Sequence, residues 1–340
     1  MNRKSALVIF TIVLVLASIG SASLLAASPQ APASTCTWNG STGNWSDSTR
    51  WSCGMVPGSS DEAVINSGSV TVDQEVTVQE LILGGGTLQG SNGITVTNGM
   101  AWTGGTQSGS GATTIASGAV LTITANGDCV YVAGVQLRER TLNIAGTAIL
   151  TGTNAFCAGS GSINNSGLFD IVRDVNVWWN GAASAVLNNT GTFRKSGGVG
   201  TSAWSSVAVN NAGTLQVQSG TLQLNKGGTS SGSYIAAAGA TLDFGGGTHT
   251  IDLAAASSIT GAGQVRFSGG ATMIGGSGVY AVAGTSDING GTLNVDLAAS
   301  TANLTVSAGT LGGSGGLTVT DVMAWTGGTQ SGSGATTIAS

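Results

Sequence analysis

The chain has 340 residues with 57 glycines and 3 prolines; 41% of residues are apolar, 7% charged and 5% aromatic, and the net charge is −5. So little charge beside so much apolar character excludes a solvated disordered coil, and the acidic balance excludes a nucleic-acid partner. Abundant glycine with few aromatics is also unlike an ordinary soluble enzyme.

Residues 1–33 read as a signal peptide. Arg3 and Lys4 precede an apolar stretch from Ala6 to Ile19, and small residues follow, with Ala31-Pro32-Ala33 and Gly20-Ser21-Ala22 as alternative cleavage sites. The stretch is shorter than the roughly 20 residues that span a bilayer, although Ala6 to Ala27 left uncleaved would serve as an anchor. The export machinery is therefore an expected partner. Removing this segment takes away two bases and no acid, leaving eight bases against fifteen acids, a net charge of −7. Outside the cytoplasm, the four cysteines at 36, 53, 129 and 157 are disulfide candidates.

Residues 34–65 hold Trp38, Trp45 and Trp51 between Cys36 and Cys53. A Cys36–Cys53 bridge would close a short loop, a constraint of about 3 kcal/mol. The tryptophans have two readings: a cap packed over the open end of a core, or an aromatic platform for sugars.

From residue 66 onward, short alternating runs such as Ser69-Val-Thr-Val72, Val120-Leu-Thr-Ile123 and Thr292-Leu-Asn-Val295 are separated by Gly, Ser and Asn. These are strand-and-turn patterns, and no stretch after residue 35 carries a helical period. Met100 to Ser117 recurs unchanged at Met323 to Ser340, an offset of 223 residues that also aligns Asn66 with Asn289. A glycine just before a strand marks a shorter rhythm: nine steps from Gly68 to Gly291 cover those 223 residues, an average of 24.8. A period in the twenties made only of strands and turns predicts an all-β, right-handed parallel β-helix, a β-solenoid of about 25-residue coils. Residues 66–288 then form a nine-coil repeat unit and residues 289–340 the start of a truncated second unit, with the remainder of a longer chain beyond residue 340 as a further expected partner.

At that period the middle residues of successive strands form one outward column: Asp170, Arg194, Gln216, Asp243, Arg266 and Asn294. Asp170 beside Arg194 and Asp243 beside Arg266 place unlike charges on neighbouring strands. Lys195 interrupts an otherwise apolar column without a reason visible in the sequence. Asn164, Asn188 and Asn210 begin successive turns and predict an asparagine ladder. Cys129 and Cys157 each lie eleven residues after a marker glycine, so they share a phase in adjacent coils and are read as a disulfide or as two stacked thiols.

The tryptophan-rich opening with "GNWSDSTRW", "VPG" and "DEAVI", followed by "MAWTGGTQSGSG", "NNSGLFDI", "NNTGTFRKSGG" and "GGGTHTIDLAAASSITGAGQVRFSGG", resembles the long repeats of bacterial secreted adhesin-like β-helix proteins such as filamentous haemagglutinin and autotransporter passenger regions. The resemblance covers residues 36–340 and implies a surface architecture. It carries no catalytic motif.

Enzymes also occur on β-helices, so chemistry must be sought among the residues themselves. Only Arg138 to Arg194 concentrates charge, with Arg138-Glu139-Arg140, Asp170, Arg173 and Asp174. Tyr131, Trp178, Trp179 and Trp204 are candidate glycan-contact aromatics; their alternative is a loop-covered satellite core. His249, the sole histidine, has no second histidine or nearby cysteine, so no metal or triad is expected. The glycine-rich runs carry no phosphate-binding lysine, and no cofactor is expected. The chain therefore reads as a secreted or cell-surface, non-catalytic, adhesin-like stalk, with cell-surface glycans or other cells as candidate partners. The competing reading is a secreted polysaccharide lyase or glycosidase on the same fold.

Overall fold

The computed structural model describes residues 31–129, 134–179, 181 and 184–339, so the predicted signal peptide lies almost wholly outside the described residues. Residues 32–340 cluster as one unit. Among the described residues the regular structure is β, apart from a single 3-10 turn at Ser48–Arg50. No helix there is long and apolar enough to cross a membrane.

The unit is a parallel β-solenoid of about 13 turns with coils of about 21 residues. One coil shows the plan. Thr147–Gly152 lies on a first face, Ala155–Ala158 on a second and Ser162–Asn165 on a third. The chain then returns to the first face as Leu168–Ile171, which pairs in parallel with Thr147–Gly152 through Ala148↔Phe169. Short alternating strands suit this plan because every second side chain points inward, and each is covered by its counterpart one coil away. On the first face Leu81, Met100, Leu121, Phe169, Phe193 and Leu215 are buried in this way, each contributing roughly 1.5–3 kcal/mol. The corners need glycine where backbones stack: Gly105 has φ +77°, and a Cβ there would lie 2.5 Å from the carbonyl oxygen of Gly86 one coil below.

The coil is shorter than the 25 residues expected, and the reason lies in the marker. Gly118, Gly146, Gly167, Gly191 and Gly213 all precede first-face strands, but Gly68 precedes a second-face strand, Gly93 a third-face strand, and Gly239 a second-face strand again. Four of the nine marker steps therefore contain a full turn and one extra face. The 223-residue offset spans ten and one third turns rather than nine coils, as the strand pairings show. Identical segments consequently occupy different faces. Met100 to Trp102 pairs on the first face with Leu121 to Ile123, whereas Met323 to Trp325 pairs on the second with Leu304 to Val306.

At the N-terminal end Thr35–Thr37 and Thr42–Asn44 supply first-face and second-face strands, and residues 45–61 take the place of a third. Trp38, Trp45 and Trp51 are all buried there. The Trp51 ring lies 5.0 Å from Trp38 and 4.8 Å from Trp45, and Trp51 Nε1 donates to the Trp45 carbonyl. This buried cluster supports the cap reading in part. The Cys36–Cys53 disulfide fastens it.

Candidate functional site

Outward side chains form columns along the stacked coils. Arg194 Nη2 donates to Asp170 Oδ2 at 2.5 Å, and Arg266 Nη2 donates to Asp243 Oδ2 at 2.9 Å, as the strand pattern predicts. The hydrogen bond that Arg194 donates to Asp170, opposed by desolvation, raises the Arg194 pKa above its ordinary value. The six-residue column, however, is not one ladder. Asp170, Arg194 and Gln216 stack on the first face; Asp243 and Arg266 stack on the second, below Asp287; Asn294 lies on the third, between Met273 and Gly312. The extra faces hidden in the marker steps split the column. Asp243 is fully buried under Gln223, Arg266 and Ser268, all of which donate to it. Its carboxylate therefore has no open side for a substrate.

Two buried cations in the interior, Lys195 and Arg140, are likewise occupied. Lys195 points inward and is fully buried, with Nζ 2.7 Å from both Asp174 Oδ1 and the Gly197 carbonyl, which accounts for a lysine in an apolar column. Arg140 follows Glu139, which adopts φ +62°, and its guanidinium donates to Thr113 Oγ1 and to the carbonyls of Asn92 and Ala112. Burial lowers its pKa to about 10, against a raising effect from Glu75. Both cations tie corners together. Of the charged stretch from Arg138 to Arg194, the structure thus assigns Arg140, Asp170, Asp174 and Arg194 to packing contacts.

Cys129 and Cys157 form a disulfide with α-carbons 5.3 Å apart. The pair is as expected but its geometry is different. Cys157 stacks on Gln136 and under Trp178, while Cys129 belongs to a segment that folds back over the second face through an antiparallel bridge between Gly127 and Ala155. Trp178 and Trp179 are half-buried against this disulfide and Ala155, with the Arg138 guanidinium 4.6 Å from the Trp179 ring centroid. This is the satellite core. Trp204 is not part of it: it points inward, fully buried, with its ring 4.7 Å from Phe193 and 5.7 Å from Phe169. It has no face to offer a glycan, because inward and outward positions alternate and the spacing to Trp178 shifts it to the inward set. Tyr131 lies outside the described residues.

The third face carries the feature most open to a ligand. Asn188 Nδ2 donates to Asn164 Oδ1 at 2.9 Å and Asn210 Nδ2 donates to Asn188 Oδ1 at 3.0 Å, which is the expected ladder. It extends further: Asn164 Nδ2 donates to Asn143 Oδ1, and Asn210 Oδ1 accepts from the backbone and hydroxyl of Thr229. A second, buried ladder runs directly inside it, from Asn165 to Asn189 to Asn211, with both links at 2.7 Å. The doublets "INN", "LNN" and "VNN" carried the signal for this inner ladder, since adjacent strand residues face opposite ways. Beside the outer ladder, at the corner leading back to the first face, lie two hollows of about 420 Å³ each. They share Asn188 and Thr190 and together run from Asn143 to Asp252.

No protein-family model, curated protein or solved structure matches this chain. What it does must be argued from the solenoid itself. Two disulfides fit an oxidising, extracytoplasmic compartment.

Proposed function

We propose that the chain is a structural, adhesin-like segment of a secreted or cell-surface protein, in which a stacked β-solenoid acts as a stiff, non-catalytic stalk. The observation that carries this reading is how neighbouring coils use their polar groups. Asp170, Asp174 and Asp243 each hold a cation from an adjacent coil, and the asparagines hold one another. A hydrolase or lyase needs carboxylates or bases converging on a substrate, whereas these groups hold coil to coil. The disulfides, the signal-like opening and the resemblance to secreted adhesin-like repeats support the same reading, as does the acidic balance. Cell-surface glycans or other cells are the partners such a stalk would meet.

Two measurements test this. Antibody raised against residues 34–340 should label intact cells that express the full gene, and labelling only after lysis would overturn the placement. Incubation of the purified protein with a panel of neutral and acidic polysaccharides should release neither new reducing ends nor unsaturated products. Product formation that survives repeated purification would replace the stalk with an enzyme.

A further inference from the structure

We infer that the third-face trough binds a linear, uncharged polysaccharide lying along the solenoid axis. This deepens the stalk reading, on which it rests for the setting in which such a polymer is met.

The trough has two parallel walls. One is the outer ladder of Asn143, Asn164, Asn188 and Asn210, continued by Thr229 and Thr250; the other lies two residues further along each strand and includes Ala145, Thr190 and Ala212. Within the ladder, Asn164 and Asn188 each use one amide hydrogen and one carbonyl lone pair on their neighbours. A primary amide has two hydrogens and two lone pairs, so each of these rungs keeps a donor and an acceptor for a ligand. They recur once per coil, at the strand spacing of about 4.8 Å. A hydroxyl both donates and accepts, so a chain of polyhydroxylated rings meets this alternation rung after rung. The exposed methyl groups of Ala145 and Ala212 give the C–H faces of the rings an apolar surface.

Other ligand classes fit less well. Of the lining residues Asp252 alone is charged, so neither a polyanion nor a nucleic acid finds a cationic partner. A peptide strand recognises a free sheet edge, but the trough crosses strands whose backbone groups are already paired, as in Asn188↔Asn210. The walls hold no aromatic ring, so single contacts are weak and affinity must accumulate along the polymer.

The test is affinity electrophoresis of residues 34–340 through gels containing soluble neutral polysaccharides (a β-glucan, a xyloglucan and an α-mannan), with acidic pectin and heparin as charged comparisons. At least one neutral polymer should retard the protein, and its tetrasaccharide should compete at least tenfold more weakly than the polymer on a molar basis of chains. Ala145→Arg and Ala212→Arg fill the trough from exposed positions without touching the ladder, and each should weaken retardation at least tenfold. Val199→Arg, at the corner between the first and second faces, should leave it unchanged. Retardation by no neutral polymer, retardation only by the acidic ones, or equal retardation of the trough-filling variants and the parent would each overturn the inference. None of these outcomes bears on the stalk reading, which fails instead on surface labelling or on product formation.

Discussion

Lys195 and Asp174 form an ion pair in which the ammonium is fully buried and the carboxylate remains 37% exposed, with Nζ and Oδ1 2.7 Å apart. The asymmetry sets the effect of each substitution. Asp174→Ala leaves a buried cation with the Gly197 carbonyl as its remaining partner, and should cost roughly 3 kcal/mol, the lower end for breaking a buried pair. Lys195→Met places an apolar chain in an apolar column and should change stability by less than about 1 kcal/mol. Denaturant titration of the two variants checks the order. Desolvation raises the Asp174 pKa, but the hydrogen bonds from Lys195 and the Gly200 amide and the lysine charge outweigh it, so the folded value lies below 3.8. Its contribution is complete above pH 3.8 and is lost as pH falls through the folded value; Asp174→Asn should remove that part of the acid limb.

The two asparagine ladders should respond differently. Asn188 is exposed, so Asn188→Ala should cost about 0.5–1.5 kcal/mol, the net worth of an ordinary hydrogen bond. Asn189 is buried and joins Asn165 to Asn211 while also donating to the Gly191 and Thr214 carbonyls. Asn189→Ala leaves several buried groups unpaired and should cost about 3 kcal/mol or more. Equal losses in a thermal or denaturant series would contradict the division into outer and inner ladders.

His249 makes stability depend on pH below 6.5. The ring is buried against Phe244, and Nε2 donates toward the Gly246 carbonyl at 3.0 Å, with the Leu224 carbonyl at 3.3 Å. Burial lowers its pKa below 6.5, against raising effects from both carbonyls. The folded state therefore favours the neutral ring: its contribution is complete above pH 6.5 and is lost as pH falls through the lower folded value. As His249 is the sole histidine, His249→Gln should remove this part of the fall in the unfolding midpoint as pH drops below 6.5. An unchanged slope would place the dependence elsewhere.

The last described coil leaves Val322, Trp325 and Ile338 between 55% and 58% exposed. In the identical earlier segment Met100 and Trp102 are buried beneath Leu121 and Ile123. Exposed apolar side chains beside an unpaired strand edge favour association, so residues 34–340 should sediment as concentration-dependent oligomers. Trp325→Lys combined with Ile338→Lys should shift the distribution toward monomer. A single monomer boundary at all concentrations would contradict this.

Much of this architecture was legible locally. Alternation in Leu168–Ile171 and Thr192–Lys195 marked strands and their inward sides, and unlike charges at matching strand positions identified both arginine–aspartate pairs. The cysteines were legible as two candidate pairs, although the stacking argument for Cys129 and Cys157 was not the geometry that joins them, and asparagines at matching turn starts identified the outer ladder. These are short-range properties: side-chain alternation and turn chemistry follow from the residues within a strand and its corners.

Only the tertiary structure decided which strand lies on which face. A glycine before a strand looks the same at any of three corners, so Gly68, Gly93 and Gly118 read as one column although they open the second, third and first faces. Lateral pairing alone distinguishes them, because hydrogen bonds join residues about one coil apart whatever their local spelling. That pairing turned Trp204 inward, gave buried Lys195 its carboxylate, brought Cys129 over Cys157 by a fold-back rather than a stack, and set the walls of the trough side by side.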